Sequence, residues 1–201
     1  MSGSRPVRAG YRLLTAISMT VGRGPAARAV GVVAGLIPKD RLIDIGCGPG
    51  TAARTAARQC ADVTGVDPAP EMLRLGRWIT AARRITNVTF REGRAEALPL
   101  PDASVTVAWA LSSVHHWPDR AAGLAEAARV LAPGGRILLA ERLVKPGARG
   151  HAVHGLSRDE GSRLAADLAA AGFTRASCDT RKAGRRRTLL IVRGTLPEAV
   201  G

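Results

Sequence analysis

Two patterns of apolar residues alternate along this chain of 201 residues. Short apolar runs rich in β-branched residues predict strands at 41–45, 63–66, 88–91, 105–111, 136–140, 173–178 and 188–193. Apolar residues at helical spacing predict helices at 51–59, 71–83, 119–131 and 158–171, after two short helices within 11–37. Strands that alternate with helices build βαβ units. The predicted fold class is therefore α/β: a doubly wound, mainly parallel seven-stranded sheet with helices on both faces.

Local signals predict where several of these elements begin and end. Pro118-Asp119 marks the start of one helix, and Pro133-Gly134-Gly135 marks its end. Ser157 is a predicted N-cap, Glu160 three residues later completes a capping box, and Gly172 ends that helix. The last two strands are joined by a short basic turn at 181–187, which predicts an antiparallel strand in the sheet.

The length of the chain suits one domain with a substantial core. We expect a helical cap at 1–37, a central core at 38–141, and a C-terminal helix with a strand pair at 142–201. Aromatic residues make up only 3%, so aliphatic side chains must build the core. Three widely spaced cysteines without a CxxC pattern predict neither a disulfide framework nor a zinc site. The chain lacks an early apolar run of about 18 residues or a secretory signal, which predicts a cytoplasmic location.

The chain is strongly basic, with 30 Lys and Arg against 16 Asp and Glu and a net charge of +14. Clustered basic residues attract nucleic acids and anionic membranes. Almost all of the basic residues are Arg, however, and an excess of Arg, Ala and Gly also follows from GC-rich coding. A solvated basic surface is the favoured interpretation, with an anionic partner as the alternative.

A glycine-rich turn, Gly46-Cys47-Gly48-Pro49-Gly50, follows the first predicted strand. Glycines allow tight backbone conformations and let a ligand approach without obstruction by a Cβ atom. The spacing is GxGxG, and Thr51 stands where the dinucleotide fingerprint GxGxxG has its last glycine. The turn therefore suits a ligand that lacks a pyrophosphate.

Asp67 ends the second predicted strand, 21 positions after Gly46. An acidic residue at this offset binds ribose hydroxyls in nucleotide-binding α/β folds. The alternative is a solvated aspartate in a turn, since Pro68 follows it directly. The glycine turn upstream favours the ligand-binding role.

Five motifs occur in order between Leu42 and Gly135. They are LIDIGCGPG at 42–50, GVDP at 65–68, GRAEALPLPDAS at 93–104, VHHWPD at 114–119 and LAPGG at 131–135. In this order they resemble the successive motifs of the class I S-adenosylmethionine-dependent methyltransferases, which have a Rossmann-like fold. The chain is most similar to the small-molecule branch that includes ubiquinone/menaquinone-biosynthesis and sterol methyltransferases. The resemblance implies methyl transfer as the activity and S-adenosylmethionine as the cofactor.

The resemblance also implies which residues bind the cofactor. The methionine part is assigned to Asp44, Gly46, Cys47, Gly48, Pro49 and Gly50. The ribose and adenine are assigned to Asp67, Pro68, Met72, Arg94, Ala95 and Glu96, with Leu111 and Ser112 completing the set. In this assignment Asp67 binds the ribose diol, Pro68 and Met72 pack against the adenine, and the backbone of Ala95 contacts its edge. For Asp44 and Glu96 the alternative interpretation is a structural role, with Asp44 anchoring backbone amides of the turn.

Arg94 departs from the family pattern, which has Asp or Asn at this position to accept the adenine amino group. A guanidinium has no acceptor and cannot make that hydrogen bond. Two interpretations remain: Arg94 points to solvent, or its guanidinium stacks on the adenine face.

His115 and His116 follow the fourth predicted strand, the position that faces the transferred methyl group in this family. Both are catalytic candidates because an imidazole can accept a proton from the acceptor. The alternative is that one packs or bonds to the backbone while the other shapes the substrate pocket. His151 and His154 have no evident third ligand, so we interpret them as exposed loop residues and predict no metal site.

Two absences narrow the methyl acceptor. Residues 111–114 read LSSV rather than Asn/Asp-Pro-Pro-Tyr, and no carboxylate cluster with metal-ligand spacing is evident. These absences favour an oxygen or carbon atom of a small-molecule acceptor. One alternative is an RNA methyltransferase that uses the basic segment 181–187, and another is a non-catalytic interaction protein that binds the cofactor. Little of the chain remains to form a lid, which leaves a homodimer open as a way to complete the pocket.

Overall fold

The computed structural model describes residues 24–145, 154–184 and 187–199. The helices are α1 (Gly24–Ala34), α2 (Thr51–Ala56), α3 (Pro70–Ala82), α4 (Arg120–Val130) and α5 (Arg158–Ala170), with a 3-10 turn at Val114–His116. The strands are β1 (Arg41–Ile45), β2 (Asp62–Asp67), β3 (Val88–Glu92), β4 (Val105–Leu111), β5 (Leu131–Arg142), β6 (Thr174–Lys182) and β7 (Thr188–Thr195). The first helix predicted within 11–37 lies outside the described residues. No helix in the described ranges is long and apolar enough to cross a membrane.

The strands form one seven-stranded sheet in the order β3-β2-β1-β4-β5-β7-β6. Strands β1 to β5 pair in parallel, and β7 runs antiparallel to both β5 and β6. The predicted fold class and the predicted antiparallel strand are therefore confirmed. The strand order reverses between β1 and β4, and ligands of open α/β sheets bind outside the carboxyl ends of the strands at such a point.

Apolar side chains cover both faces of the sheet, as expected for parallel strands with helices on either side. Successive strand residues point to opposite faces. Leu42 packs in one apolar cluster with residues of α1, α2 and α3, whereas Ile43 packs in a second cluster with residues of α4 and α5. Trp109 of β4 is completely buried in the first cluster. This two-sided burial fixes the register of the central strands and hence the positions of the residues that follow them.

Most element boundaries lie within two residues of the sequence prediction, and larger differences occur at the end of α2, the start of β5 and the end of β6. Helix α2 ends at Ala56 rather than at 59, and β6 continues to Lys182, which places Arg181 and Lys182 in the strand. Helix α4 ends at Val130, before Pro133-Gly134-Gly135, because a residue that precedes proline is disfavoured in the helical conformation. The Pro-Gly-Gly segment lies inside β5, where the pairing with β4 shifts register.

The capping box of α5 is confirmed: Glu160 accepts from the N–H of Ser157 at 2.7 Å, and the Ser157 hydroxyl accepts from the N–H of Glu160 at 3.3 Å.

An ion pair between the buried Asp40 and Arg136 lies toward the amino end of the central strands. Asp40 is 2% exposed, and its Oδ2 lies 2.6 Å from Nη2 of Arg136, at the point where β5 resumes pairing with β4. Asp40 also accepts from the Thr106 hydroxyl and the Ile37 N–H, and Arg136 donates to the carbonyl oxygens of Ala34 and Gly35. Burial acts to raise the pKa of Asp40, but the hydrogen bonds, led by that from Arg136, hold this pKa below its usual value.

Candidate active site

The glycine turn connects β1 to α2 at the carboxyl end of the sheet. Gly46, Gly48 and Gly50 have φ values of +72°, +53° and +74°, a region that L side chains rarely adopt. A Cβ atom at Gly46 would lie 2.5 Å from the Cβ of Ser113, and one at Gly50 would overlap the ring of Phe90. The glycines are therefore needed both for backbone conformation and for close packing against β3 and the end of β4.

Arg54 supports this turn from inside the protein. Its Nη1 donates to the carbonyl oxygen of Pro49 at 2.6 Å, and the residue is 3% exposed. Burial, with a smaller contribution from the charge of Arg83, lowers the pKa of Arg54 to about 10. The guanidinium therefore remains protonated at neutral pH and holds the end of the turn.

Asp67 joins the end of β2 to the glycine turn. Its Oδ2 accepts from the N–H of Gly48 at 2.8 Å, and its Oδ1 accepts from the N–H of Ala69 at 2.9 Å. Each carboxylate oxygen can accept a second hydrogen bond. Asp67 therefore positions the turn and keeps acceptor capacity for a ligand.

A cleft of about 320 Å³ opens beside the turn and Asp67. The predicted cofactor residues that line it are Gly46, Gly48, Asp67, Pro68, Met72, Arg94, Ala95, Glu96 and Ser112. The predicted residues Asp44, Cys47, Pro49, Gly50 and Leu111 do not line it and are buried in the protein. Burial, followed by the charges of Asp44 and Asp67, raises the pKa of the Cys47 thiol well above its usual value. Cys47 is therefore a packing residue and not a nucleophile at neutral pH.

Arg94 lies at the edge of the cleft and pairs with an acid that also lines it. Its Nε is 3.7 Å from Oε2 of Glu96, and its side chain is 63% exposed against 18% for Glu96. With Asp67, Glu96 gives the cleft two carboxylates in a chain that is otherwise strongly basic. The cleft thus suits a ligand that carries positive charge.

The end of β4 brings Ser112 and Ser113 against β1. Ser112 has a φ of +54°, and the Ser113 hydroxyl donates to the carbonyl oxygen of Ile45 at 2.7 Å. The 3-10 turn at Val114–His116 then directs His116 and Trp117 into the lining of the cleft.

His115 lies behind His116 and is held by a buried acid at the end of β5. Its Nδ1 is 2.9 Å from Oε2 of Glu141, whose Oε1 accepts from the N–H of Val114 at 2.9 Å. Glu141 is 1% exposed. Because an ionised carboxylate can only accept, this pair places the proton of a neutral imidazole on Nδ1 and leaves a lone pair on Nε2. Nε2 of His115 is buried and has no hydrogen-bond partner among the residues that the structure describes.

His154 completes a group of three histidines. The ring centroids of His115 and His116 are 3.9 Å apart, and the ring of His154 lies 5.7 Å and 5.8 Å from them. One ring nitrogen from each residue lies within 4.8 Å of those of the other two. His154 is exposed, as predicted, but no third ligand beside it was evident from the sequence, whereas in the structure it lies next to both His115 and His116. His151 lies outside the described residues.

Several residues of the site were not predicted from the sequence. Ser113, Trp117 and Pro118 line the cleft and flank the predicted histidines. Glu141 had a readable signal, because it is an acid at the carboxyl end of an apolar parallel strand, where ligand-binding side chains collect. His154 had none, since it contacts His115 across a separation of 39 positions only after folding.

Comparison with known proteins agrees with this geometry. A family model described as a methyltransferase domain matches residues 43–139. The 27-O-demethylrifamycin SV methyltransferase of Amycolatopsis mediterranei is 42% identical over 123 residues, which are 59% of this chain and 45% of that protein. The demethylmenaquinone methyltransferase of Tropheryma whipplei is 36% identical over 119 residues, 59% of this chain and 47% of that protein. The chain thus spans about half the length of these curated relatives.

The fold is also found among solved structures. The crystal structure of an S-adenosylmethionine-dependent methyltransferase from Aquifex aeolicus superposes with a TM-score of 0.77 at 17% identity, covering 90% of this chain and 97% of that one. At this identity the likeness concerns the fold alone. The methyltransferase-domain match over residues 43–139 and the curated relatives support a class I S-adenosylmethionine-dependent methyltransferase, and the superposition shows the corresponding fold.

Proposed function

We propose that this chain transfers the methyl group of S-adenosylmethionine to an oxygen or carbon atom of a small-molecule acceptor. The observation that carries the proposal is that a single cleft is lined both by the glycine turn with Asp67 and by His116. The first group suits the cofactor and the second suits the acceptor.

The cofactor side of the cleft fits a cationic nucleoside. S-adenosylmethionine carries an ammonium and a sulfonium and, when bound, supplies the methyl group. Asp67 keeps free acceptor positions for a ribose diol, and Asp67 and Glu96 together supply negative charge. Met72 offers an apolar contact for the adenine, and the missing Cβ atoms of Gly46 and Gly48 leave room at the turn. A volume of about 320 Å³ lies within the range of small-molecule sites.

The acceptor side of the cleft is the part that contains His116 and Trp117. Methylation of a hydroxyl requires that the acceptor lose its proton, and an imidazole beside the acceptor assists this loss, typically by about 10²–10⁴-fold. The relative from Amycolatopsis mediterranei is named for an O-demethylated substrate, which supports an oxygen acceptor. Holding the acceptor in line with the sulfur–methyl bond supplies much of the remaining rate.

Transfer of radiolabelled methyl from S-adenosylmethionine tests this proposal. The full chain is incubated separately with a small-molecule extract and with an RNA fraction. We expect label in the small-molecule extract. Label in RNA alone would favour the nucleic-acid alternative, and S-adenosylhomocysteine binding without transfer to either fraction would favour the non-catalytic one.

A further inference from the structure

The three-histidine cluster, His115, His116 and His154, has the composition and spacing of a metal site. Imidazole nitrogen is a preferred ligand of Zn²⁺ and of neighbouring divalent transition metals. Three histidines with a fourth position left open form the ligand set of a known class of catalytic zinc site. In this chain one ring nitrogen from each histidine lies within 4.8 Å of those of the other two.

The contacts of His115 supply a second, independent observation. A metal-binding histidine commonly donates its other ring N–H to a carboxylate, which fixes the ring and makes the ligating nitrogen more basic. Nδ1 of His115 is 2.9 Å from Glu141, while Nε2 is buried and lacks a partner among the described residues. A buried ring nitrogen without a partner is costly unless something binds it.

We propose that His115, His116 and His154 bind one divalent transition-metal ion of the Zn²⁺ class at the acceptor end of the cleft. Tetrahedral coordination with Zn–N distances of about 2.05 Å requires nitrogens about 3.4 Å apart. The three ring nitrogens lie within 4.8 Å of one another, so metal binding would require the exposed rings of His116 and His154 to rotate closer. His115 is the anchored ligand, because Glu141 holds its ring.

The metal would act on the acceptor, and this role rests on the proposed function. His116 lines the cleft, so an ion held by the three histidines would lie beside the space that the acceptor would enter. A hydroxyl oxygen bound there is polarised and loses its proton to solvent more readily, as metal-bound water does. The ion would then achieve by coordination what a free imidazole achieves by accepting the proton.

Metal titration of the full chain tests the site. The protein is freed of metal with a chelator, kept reduced, and titrated with Zn²⁺ by calorimetry and with Co²⁺ by absorption spectroscopy. We expect one ion per chain and Co²⁺ bands of a nitrogen and oxygen site without thiolate charge transfer. His116→Ala and His154→Ala change exposed side chains and should each weaken Zn²⁺ binding by more than about tenfold.

Cys178→Ser is the matched control, because it removes a partly exposed thiol outside the cluster and should leave the Zn²⁺ affinity unchanged. The proposal is wrong if the wild type binds Zn²⁺ no more tightly than His154→Ala, or if Cys178→Ser removes the binding. Label transfer by the metal-free chain that does not rise when Zn²⁺ is added would overturn the role on the acceptor. Titration of the same metal-free protein with S-adenosylhomocysteine examines the cofactor site separately, so failure of the metal site and failure of the proposed function are distinguishable.

Discussion

Strand β5 contributes one residue to each of two acid–base pairs, Arg136 to one and Glu141 to the other, and the two pairs serve different purposes. Toward the amino end, Arg136 binds Asp40, and the remaining polar atoms of both side chains are taken up by neighbouring groups. At the carboxyl end, Glu141 binds His115, but Nε2 of that histidine has no partner in the described part of the chain. The first pair is complete as it stands, and the second leaves a buried atom available to a ligand.

This difference indicates where stability and function are located. An ion pair whose hydrogen bonds are all made stabilises the structure, and removing one partner leaves the other charge uncompensated. A pair with a buried unsatisfied atom destabilises the fold, and a ligand that binds this atom would offset the loss. The stabilising pair and the pair with an unsatisfied atom therefore lie toward opposite ends of the strands of one sheet.

The largest expected effect is on stability, at the amino end. Asp40→Ala leaves Arg136 without its carboxylate partner and should lower the free energy of unfolding by about 3 kcal/mol. This value is at the lower end of the range for buried pairs, because Arg136 is 27% exposed. Asp102→Ala is the matched control: Asp102 also pairs with an arginine, at 2.7 Å, but is 78% exposed, so its loss should cost less than about 1 kcal/mol. Chemical denaturation measures both, and equal losses would contradict the assignment.

The Asp40 effect should depend on pH. The pKa of Asp40 is lower in the folded chain than the usual 3.8, so its contribution is fully present above that value. The contribution is lost as the pH falls through the lower, folded-state pKa. The difference in stability between the wild type and Asp40→Ala should therefore shrink below about pH 3.8 and stay constant from pH 5 to 7.

Asp67→Ala should weaken S-adenosylhomocysteine binding by about 100-fold, because it would remove the charged acceptor proposed for the ribose and does remove two hydrogen bonds that position the turn. Asp62→Ala, at the exposed start of the same strand, should leave the affinity unchanged. Calorimetric titration measures both variants, and a thermal melt checks that Asp67→Ala is folded. Binding by Asp67→Ala as tight as wild type would show that the cofactor lies elsewhere.

Glu141→Gln should lower label transfer by about 10- to 100-fold, since the carboxylate that orients His115 is lost. S-adenosylhomocysteine affinity should stay within about twofold, because Glu141 does not line the cleft. Glu92→Gln, an exposed acid at the carboxyl end of β3, serves as the control and should change neither quantity. If Glu141→Asp keeps more label transfer or Zn²⁺ affinity than Glu141→Gln, the carboxylate acts by orienting His115 rather than by packing alone.

The smallest expected effect is that of Arg94→Ala. The Arg94 side chain is 63% exposed and lies 3.7 Å from Glu96, so the pair is weak and its loss should change S-adenosylhomocysteine affinity by less than about threefold. Calorimetry distinguishes the two interpretations of Arg94. A loss of tenfold or more would mean that the guanidinium stacks on the adenine when the cofactor is bound.

Sequence patterns alone are enough to predict the fold class and the position of the candidate cleft. Alternating strands and helices specify the parallel sheet, and Gly46, Gly48 and Asp67 come at strand ends that the sheet must bring together. These signals are local, because they depend on periodicity, on glycine conformation and on fixed offsets along the chain. The largest boundary error, the start of β5 at Leu131 rather than at 136, has a non-local cause, because Leu131 pairs with Val105 of β4.

Which residues meet beside His116 at the candidate cleft became evident only from the structure. Glu141, His115 and His154 belong to a strand, a turn and a loop that are distant in sequence, and no spacing rule joins them. The structure likewise showed that Asp67 is committed in part to the backbone amides of Gly48 and Ala69. Contacts of this kind depend on the register of β4 against β5, which many residues fix jointly through packing.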